Sequence, residues 1–242
     1  MVAALLVCAL VVAALASVGG LPAARRFTLG TAGEYRFLDR TSDGRPYRWD
    51  PCVPIHYEVN PANAPPGALA DVREAVARVG SATGLRFTFD GTTTRTIEQQ
   101  MGRSFQSGVP NAPRWLPVLV AWLPHEHFVD LAETRRAAAF ALPRTGDGQT
   151  YATYESGVIA VDAGIGLSQG FDDRFSDGVV LMHEWGHIVG LAHVASGAEV
   201  MYSPDVAGAA DAPDAFLDDW GPGDRRGLEV LGQHGPCGAA AD

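Results

Sequence analysis

The chain of 242 residues contains no lysine, only three cysteines, and no charged side chain among its first 24 residues. All 18 basic residues are arginine, and 28 acidic residues bring the formal net charge to −10, which disfavours binding to nucleic acid or to anionic membranes. The sequence also has no Asn-x-Ser/Thr glycosylation site, no G-x-S-x-G nucleophile elbow, no phosphate-binding loop and no nucleophile motif around a cysteine. These absences argue against nucleophilic hydrolases and nucleotide-binding enzymes.

The uncharged N-terminal stretch, residues 1–24, is almost wholly apolar until Gly19, Gly20 and Pro22 interrupt it. This pattern predicts a secretory signal peptide, with Ala14–Ala16 as the candidate cleavage site. The positively charged region that usually precedes the apolar run is missing, and the stretch is long enough to span a bilayer, so an N-terminal membrane anchor is the alternative. Both interpretations predict that the rest of the chain is exported, either secreted or anchored with its domain outside the membrane.

Two cysteines, Cys52 and Cys237, lie beyond this leader, near the two ends of the remaining chain. In an oxidising compartment such a pair is expected to form a disulfide, and two free thiols are the alternative. Residues 25–50 are polar and contain glycine and proline, which indicates a short linker or pro-segment. The predicted organisation is therefore the leader, this segment, one domain over residues 51–237, and a tail over 238–242.

Apolar periodicity predicts the order strand, helix, three or four strands and two further helices. The predicted strands are 55–59, 85–89, 117–123, 136–142 and 157–162, and the predicted helices are 68–79, 177–189 and 224–231. The polar stretch 91–113 is predicted to be a long surface loop, and another loop is predicted between the last two helices. This order is typical of an α+β domain with a twisted mixed sheet, in which 117–123 is a central strand and 136–142 an edge strand.

The most informative stretch reads H-E-x-x-H-x-x-G-x-x-H and holds three of the seven histidines of the chain. His183 and His187 are four residues apart, so on a helix they project from one face and can bind one metal ion. Gly190 can end the helix because glycine readily adopts the left-handed conformation, and the turned chain can then bring His193 to the same ion. Three imidazoles leave a fourth position open, which is typical of catalytic rather than structural zinc.

This stretch resembles the metzincin zinc peptidases, and among them the matrixins. Residues 199–204 (EVMYSP) resemble the Met-turn of that family, which implies that Met201 lies beneath the metal. The resemblance extends less specifically over about residues 50–237: residues 136–144 resemble the edge strand that binds substrate, and Asp224 matches a position that supports the Met-turn. It implies a metzincin-like α+β fold with an antiparallel edge strand, an active-site helix and a C-terminal helix.

The resemblance also implies hydrolysis of peptide bonds with one catalytic Zn²⁺ ion, whose ligands are His183, His187 and His193. The ion acidifies a water molecule and polarises the scissile carbonyl, and Glu184 accepts the proton and delivers it to the leaving amine. An extended peptide is expected to pair with the edge strand. The expected substrate contacts are Ala137, Ala138, Ala139 and Phe140. The alternative is a catalytically inactive secreted binding protein on the same fold, although such proteins usually lack the glutamate or a ligand.

The expected partner is a protein or peptide, bound by a monomer, with no nucleic acid and with a membrane only if the leader stays attached. The chain departs from the matrixins because Cys52 stands too close to the first strand to act as a latency switch, which favours its bridge to Cys237. The His/Asp-rich loop that binds structural zinc and calcium in animal matrixins is also missing. His125 and His127 are therefore interpreted as surface residues, and no ligand spacing supports calcium binding by the acidic residues between 162 and 177.

Overall fold

The computed structural model describes residues 33–104, 116–128, 136–146, 149–207, 217–232 and 237. The predicted leader and the predicted tail lie outside these ranges. Among the helices of the described ranges, none combines the length and the apolar character that crossing a membrane requires.

Seven strands are present in the described residues, and they form two sheets. The strands are β1 (Arg36–Phe37), β2 (Ile55–Asn60), β3 (Phe87–Thr92), β4 (Val118–Leu123), β5 (Ala137–Gly146), β6 (Gln149–Asp162) and β7 (Leu191–Ala192). Five of them form a sheet in the order β3–β2–β4–β6–β5, in which only β5, at the edge, runs antiparallel to its neighbour. The other two, β1 and β7, pair antiparallel in a small separate sheet.

The described residues also contain long helices on the sheet and short helices in the connections. The helices are α1 (Ala68–Thr83), α2 (Ile97–Ser104), α3 (His125–Phe128), α4 (Asp177–Val189), α5 (Pro204–Ala207) and α6 (Pro222–Leu231). The structure thus confirms the predicted α+β class and the mixed sheet with an antiparallel edge strand. The sequence also predicted helix α4 with the same bounds.

The central strand β4 is apolar without interruption because both of its faces are covered. Val118 and Val120 belong to the large core between the sheet and helices α1 and α4. Leu119 and Ala121 point to the opposite face, where they pack with Ile97 of α2 in a second, smaller core. A strand buried on both faces has no polar side to alternate with, so the continuous run of apolar residues follows from its place in the sheet.

Helix α4 is fixed to the sheet by Trp185, whose side chain is fully buried. The indole ring meets the rings of Tyr57 and Phe87 edge to face, and each pair of ring centroids is 5.6 Å apart. His183 and His187 each lie two residues from Trp185, about 200° around the helix, so they face away from the sheet. The packing of one tryptophan therefore sets the direction of both histidines.

The predicted loop over 91–113 is wrong in its described part, because residues Ile97–Ser104 form α2. Only Ile97 and Met101 of this helix offer apolar side chains to the second core. The buried amide of Gln100 supplies the remaining contact, since its Nε2 donates to the carbonyl oxygen of Pro117 at 2.9 Å. A helix that buries so few apolar residues leaves little periodicity in the sequence.

Helix α1 runs past the predicted end at Gly80 and stops at Thr83. Gly80 lies inside the helix, where it packs against Phe87 of β3. The true end is Gly84, which has the left-handed conformation with φ of 72° and donates to the carbonyl oxygen of Gly80. The glycine that ends the helix therefore lies four residues beyond the one that the sequence analysis chose.

Three predicted strands have different bounds in the structure. β5 continues to Gly146 rather than ending at Leu142, through an irregular register near Pro143. β3 continues through Asp90 and Gly91, where the register against β2 shifts by one residue. β6 begins at Gln149 rather than Gly157, since its polar first half forms a hairpin with β5. The loop predicted between the last two helices contains the short helix α5.

Cys52 and Cys237 form the predicted disulfide, with their Cα atoms 5.4 Å apart. This distance lies in the ordinary range for disulfides. The bridge joins positions 185 residues apart and so ties the two ends of the domain together.

The described part of the predicted linker or pro-segment, residues 33–50, packs on the domain. The buried Trp49 donates from Nε1 to the carbonyl oxygen of Ile188 at 2.7 Å. The hydroxyl of the buried Tyr154 donates to the carboxylate of Asp39 at 2.8 Å. These contacts make residues 33–50 an integral part of the fold rather than a free linker.

Candidate metal centre

The three histidines of the motif meet at one point. The Nε2 atoms of His183 and His187 each lie 3.1 Å from the Nε2 atom of His193. The ligand atoms of all three side chains lie within 4.8 Å of one another. The structure therefore brings together the residues that the sequence predicted as metal ligands.

The hydrogen bonds of two rings decide which of their nitrogen atoms can bind a metal. His183 Nδ1 lies 2.7 Å from the carbonyl oxygen of Val200, and His187 Nδ1 lies 2.8 Å from that of Leu191. A carbonyl oxygen only accepts hydrogen bonds, so in the neutral rings both Nδ1 atoms carry the hydrogen. The Nε2 atoms of His183 and His187 consequently present lone pairs to the shared point.

This donor set fits a divalent cation. One N–H group at the Nε2 atom of His193 could satisfy only one of the two facing lone pairs, whereas a cation at the shared point satisfies all three nitrogen atoms. Four ligands arranged tetrahedrally at about 2.0–2.1 Å from zinc would stand about 3.3 Å apart, close to the observed 3.1 Å. Nitrogen ligands of this kind suit zinc, and other transition metals that bind imidazole share the preference.

The turn at Gly190 explains how the third histidine reaches the site. Gly190 has φ of 116°, and its N–H group lies 3.2 Å from the carbonyl oxygen of Gly186 and 3.0 Å from that of His187. This left-handed conformation ends α4 and redirects the chain, which a residue with a Cβ atom adopts only with strain. His193 therefore approaches the shared point from outside the helix.

Met201 packs against α4 at Gly186, the residue that precedes His187. A Cβ atom added to Gly186 would lie 2.5 Å from the Sδ atom of Met201, and the methionine is only 1% exposed. The close approach is possible because residue 186 has no side chain. Met201 is thus packed directly against the helix that carries two of the three histidines.

Asp224, at the start of α6, holds the turn that carries Met201. Its carboxylate accepts backbone N–H groups from Val200 at 2.5 Å, Gly221 at 3.1 Å and Met201 at 3.4 Å. Burial raises the pKa of Asp224 to about 7, and the neighbouring carboxylate of Glu199 acts in the same direction. Sequence analysis identified Asp224 but gave no role to Glu199, which is completely buried.

Glu184 lies beside the three imidazoles rather than among the ligand atoms. Its side chain is 5% exposed and, together with the histidines, lines a cleft of about 880 Å³. The structure thus places this buried carboxylate and the three imidazoles on the wall of the same cleft.

One wall of the cleft is formed by the start of the edge strand β5. The predicted substrate contacts Ala137, Ala138, Ala139 and Phe140 all line this wall. Ala137 and Ala138 are buried, whereas the Phe140 ring is 40% exposed. Residues 208–216, part of the loop predicted between the last two helices, lie outside the described residues.

Several residues that line the cleft were not singled out by sequence analysis. Arg36, Phe37 and Leu38 belong to the predicted linker, and no local pattern marks them as cleft residues. The Arg174 guanidinium lies 5.8 Å from the centre of the Tyr202 ring and donates to the carbonyl oxygen of Gly197 at 3.2 Å. Burial lowers the pKa of Arg174.

His125, which the sequence analysis interpreted as a surface residue, pairs with the carboxylate of Asp162. His125 Nδ1 lies 2.7 Å from a carboxylate oxygen of Asp162, whose second oxygen accepts the N–H group of Gly164. Within the described ranges, the three motif histidines are the one group of three or more His, Cys, Asp or Glu side chains placed to hold a metal ion.

The chain matches no known protein-family model, and no curated protein matches it.

Proposed function

We propose that this protein is an exported zinc-dependent endopeptidase of the metzincin type, with a matrixin-like domain. The observation that carries the proposal is the convergence of three imidazole Nε2 atoms beside Glu184 in one cleft. The left-handed turn at Gly190 and the contact between Met201 and Gly186 support it, because both features accompany the motif in the expected places.

In this proposal His183, His187 and His193 hold the zinc ion. When bound, zinc lowers the pKa of a water molecule and polarises the carbonyl group of the scissile peptide bond. Glu184 accepts the proton of the attacking water and later delivers it to the nitrogen atom of the leaving amine. The burial of Glu184 keeps this proton transfer away from bulk solvent.

The proposed substrate is an extended peptide that lies along β5. This strand ends the sheet, so one of its sides can pair with the backbone of a peptide. Four of the exposed large hydrophobic side chains in the described residues line the cleft, which favours a substrate with apolar side chains. They are Leu38, Phe140, Phe175 and Val206.

Export is proposed from two features. The predicted leader directs the chain out of the cytoplasm, and the disulfide between Cys52 and Cys237 is the kind of bond that persists in oxidising compartments. We propose that the protein acts outside the cell, either released or anchored by its leader.

Hydrolysis of a quenched fluorescent peptide by the purified protein tests the proposal. We expect activity that a chelator abolishes and zinc restores. Glu184→Ala should lower kcat by about 10²–10⁴-fold while zinc remains bound, because the carboxylate transfers protons and does not hold the metal. Glu229→Ala, which alters an exposed carboxylate on α6, is the matched control and should keep full activity.

Two results would contradict the proposal. Activity that survives both the chelator and Glu184→Ala would exclude the mechanism. A wild-type protein that binds zinc but cleaves no peptide would instead support the inactive binding protein.

A further inference from the structure

An N-terminal segment of the described chain lies against the stretch that carries the third histidine. We call residues 33–38 the clasp. The clasp includes β1, whose partner is β7. β7 lies directly between Gly190, where α4 ends, and His193.

The backbone pairing between the clasp and this stretch is regular. Arg36 faces Ala192, and Phe37 faces Leu191, in an antiparallel register. One residue further along, the N–H group of Leu38 donates to the carbonyl oxygen of Gly190 at 2.9 Å. The pairing thus begins at the residue that turns the chain out of the helix.

Glu34 extends the contact beyond His193. Its Oε2 atom accepts the backbone N–H group of Ala195 at 3.3 Å, and its Oε1 atom forms an ion pair with Arg36 at 2.8 Å. The clasp therefore contacts the chain on both sides of the third histidine, through Ala192 before it and Ala195 after it.

The clasp is itself anchored to the rest of the domain. The backbone N–H group of Gly33 donates to Oε1 of Glu199 at 2.6 Å. The other oxygen of this buried carboxylate accepts the N–H groups of Gly223 and Asp224 at the start of α6, at 2.7 and 3.0 Å. Glu199 thus connects the clasp to the start of α6, the same helix end from which Asp224 holds the turn around Met201.

The position of His193 depends on such contacts because the chain has left the helix. His183 and His187 are fixed by the hydrogen bonds of α4, whereas His193 lies beyond the helix, after the turn at Gly190 and the two-residue strand β7. On the other side the stretch is held by Val194, whose N–H group donates to the carbonyl oxygen of Met201 at 2.9 Å. Without the clasp, one of the two flanks that order this stretch would be missing.

We propose that the clasp positions His193 for metal binding, so that zinc affinity depends on residues 33–38. This inference rests on the metal centre proposed above. It assigns the N-terminal segment a permanent role in the site and predicts that the mature protein retains it, in contrast to a pro-segment that is removed.

The test compares zinc affinity of full-chain variants by competition with a chromophoric chelator. Glu34→Ala removes the acceptor for Ala195, whereas Glu34→Gln keeps an oxygen there. Leu38→Pro removes the N–H donor to Gly190. Glu74→Ala, which breaks an exposed ion pair with Arg78 on α1, is the control.

We expect Glu34→Ala to weaken zinc binding by about fivefold. The double variant with Leu38→Pro should weaken it by at least about tenfold, which is the scale seen when contacts behind metal ligands are removed. Glu34→Gln and Glu74→Ala should bind zinc as the wild type does. The metal-free Glu34→Ala protein should unfold at nearly the same midpoint as the metal-free wild type, since the proposed effect is local to the site.

Unchanged zinc affinity in Glu34→Ala would overturn the inference. If the double variant does not fold, the zinc affinity of Glu34→Ala alone tests the inference. Equal losses in Glu34→Ala and Glu74→Ala would also overturn it. Failure of the wild type to bind zinc would instead refute the metal centre itself. Zinc binding that depends on the clasp, in a protein that cleaves no peptide, would support the clasp and refute the peptidase.

Discussion

The Nδ1 atom of His183 donates a hydrogen bond of 2.7 Å to the carbonyl oxygen of Val200, the residue before Met201. The N–H group of Val200 in turn donates to Asp224 at the start of α6. The first ligand is therefore oriented by a turn that a second helix holds in place. Partners behind the ligands fix the ring orientation and the tautomer, so they influence the metal even though they do not touch it.

The contact between Gly186 and Met201 predicts that α4 tolerates no side chain at position 186. Gly186→Ala places a methyl group 2.5 Å from Sδ of Met201, so we expect the free energy of unfolding to fall by about 1–3 kcal/mol. Zinc affinity should fall as well, because a shift at position 186 displaces the neighbouring ligand His187. Denaturant unfolding and chelator competition measure the two effects.

Gly102→Ala is the matched control, because nothing lies within 4 Å of a Cβ atom at this position on α2. The same substitution there should be neutral or stabilise the protein by up to about 1 kcal/mol. Equal stability of the variants at 186 and 102 would refute the steric argument.

The exposed Phe140 ring predicts a preference for apolar substrate side chains. Phe140→Asp should lower kcat/KM for an apolar peptide by about tenfold, because one apolar contact on the cleft wall is replaced by a charge. Val53→Asp is the control, since Val53 is 56% exposed and does not line the cleft. Steady-state kinetics on one peptide measure both variants, and a similar loss in each would count against binding along β5.

Asp177 predicts a specific dependence of stability on pH. Burial, and then the nearby Asp71, raise its pKa from 3.8 to about 6. The folded protein therefore keeps a proton that the unfolded chain loses near pH 4, so the stabilising contribution is complete at low pH and disappears as the pH rises through about 6.

Asp177→Asn should remove this dependence. Relative to the wild type, the variant should gain unfolding free energy between pH 4 and pH 7, because the amide does not ionise. Denaturant titrations of both proteins across this range provide the measurement. A stability difference that stays constant with pH would show that Asp177 titrates normally.

The disulfide predicts a strong effect of reduction. Cys52→Ser should lower the free energy of unfolding by about 2–5 kcal/mol, because a bridge between positions 185 residues apart restricts the unfolded chain. Thermal unfolding with and without reductant measures the effect. The wild type should lose stability on reduction, and the variant should not respond to it.

The sequence predicted α4 and its ligands because the signals are local. The apolar pattern, the spacing of His183 and His187, and Gly190 all lie within one helix and its end. The central strand β4 was also predicted, since a run of six apolar residues suits a strand buried on both faces.

The sequence did not predict the features that depend on distant partners. Arg36 and Ala192 pair in a two-residue strand although more than 150 positions separate them, and so short a strand leaves no periodicity. The sequence predicted a loop where α2 forms, because only two apolar residues, Ile97 and Met101, pack it on the second core and they leave little periodicity. The role of Glu199 depends on three backbone N–H groups from two separate segments, which a linear pattern cannot display.

The central claim is that His183, His187 and His193 share one zinc ion. Anomalous diffraction at the zinc absorption edge, from crystals of the zinc-loaded protein, tests it most directly. We predict a single strong peak about 2.0–2.1 Å from the Nε2 atom of each of the three histidines. A peak elsewhere, or a His193 ring turned away from the other two, would contradict the account.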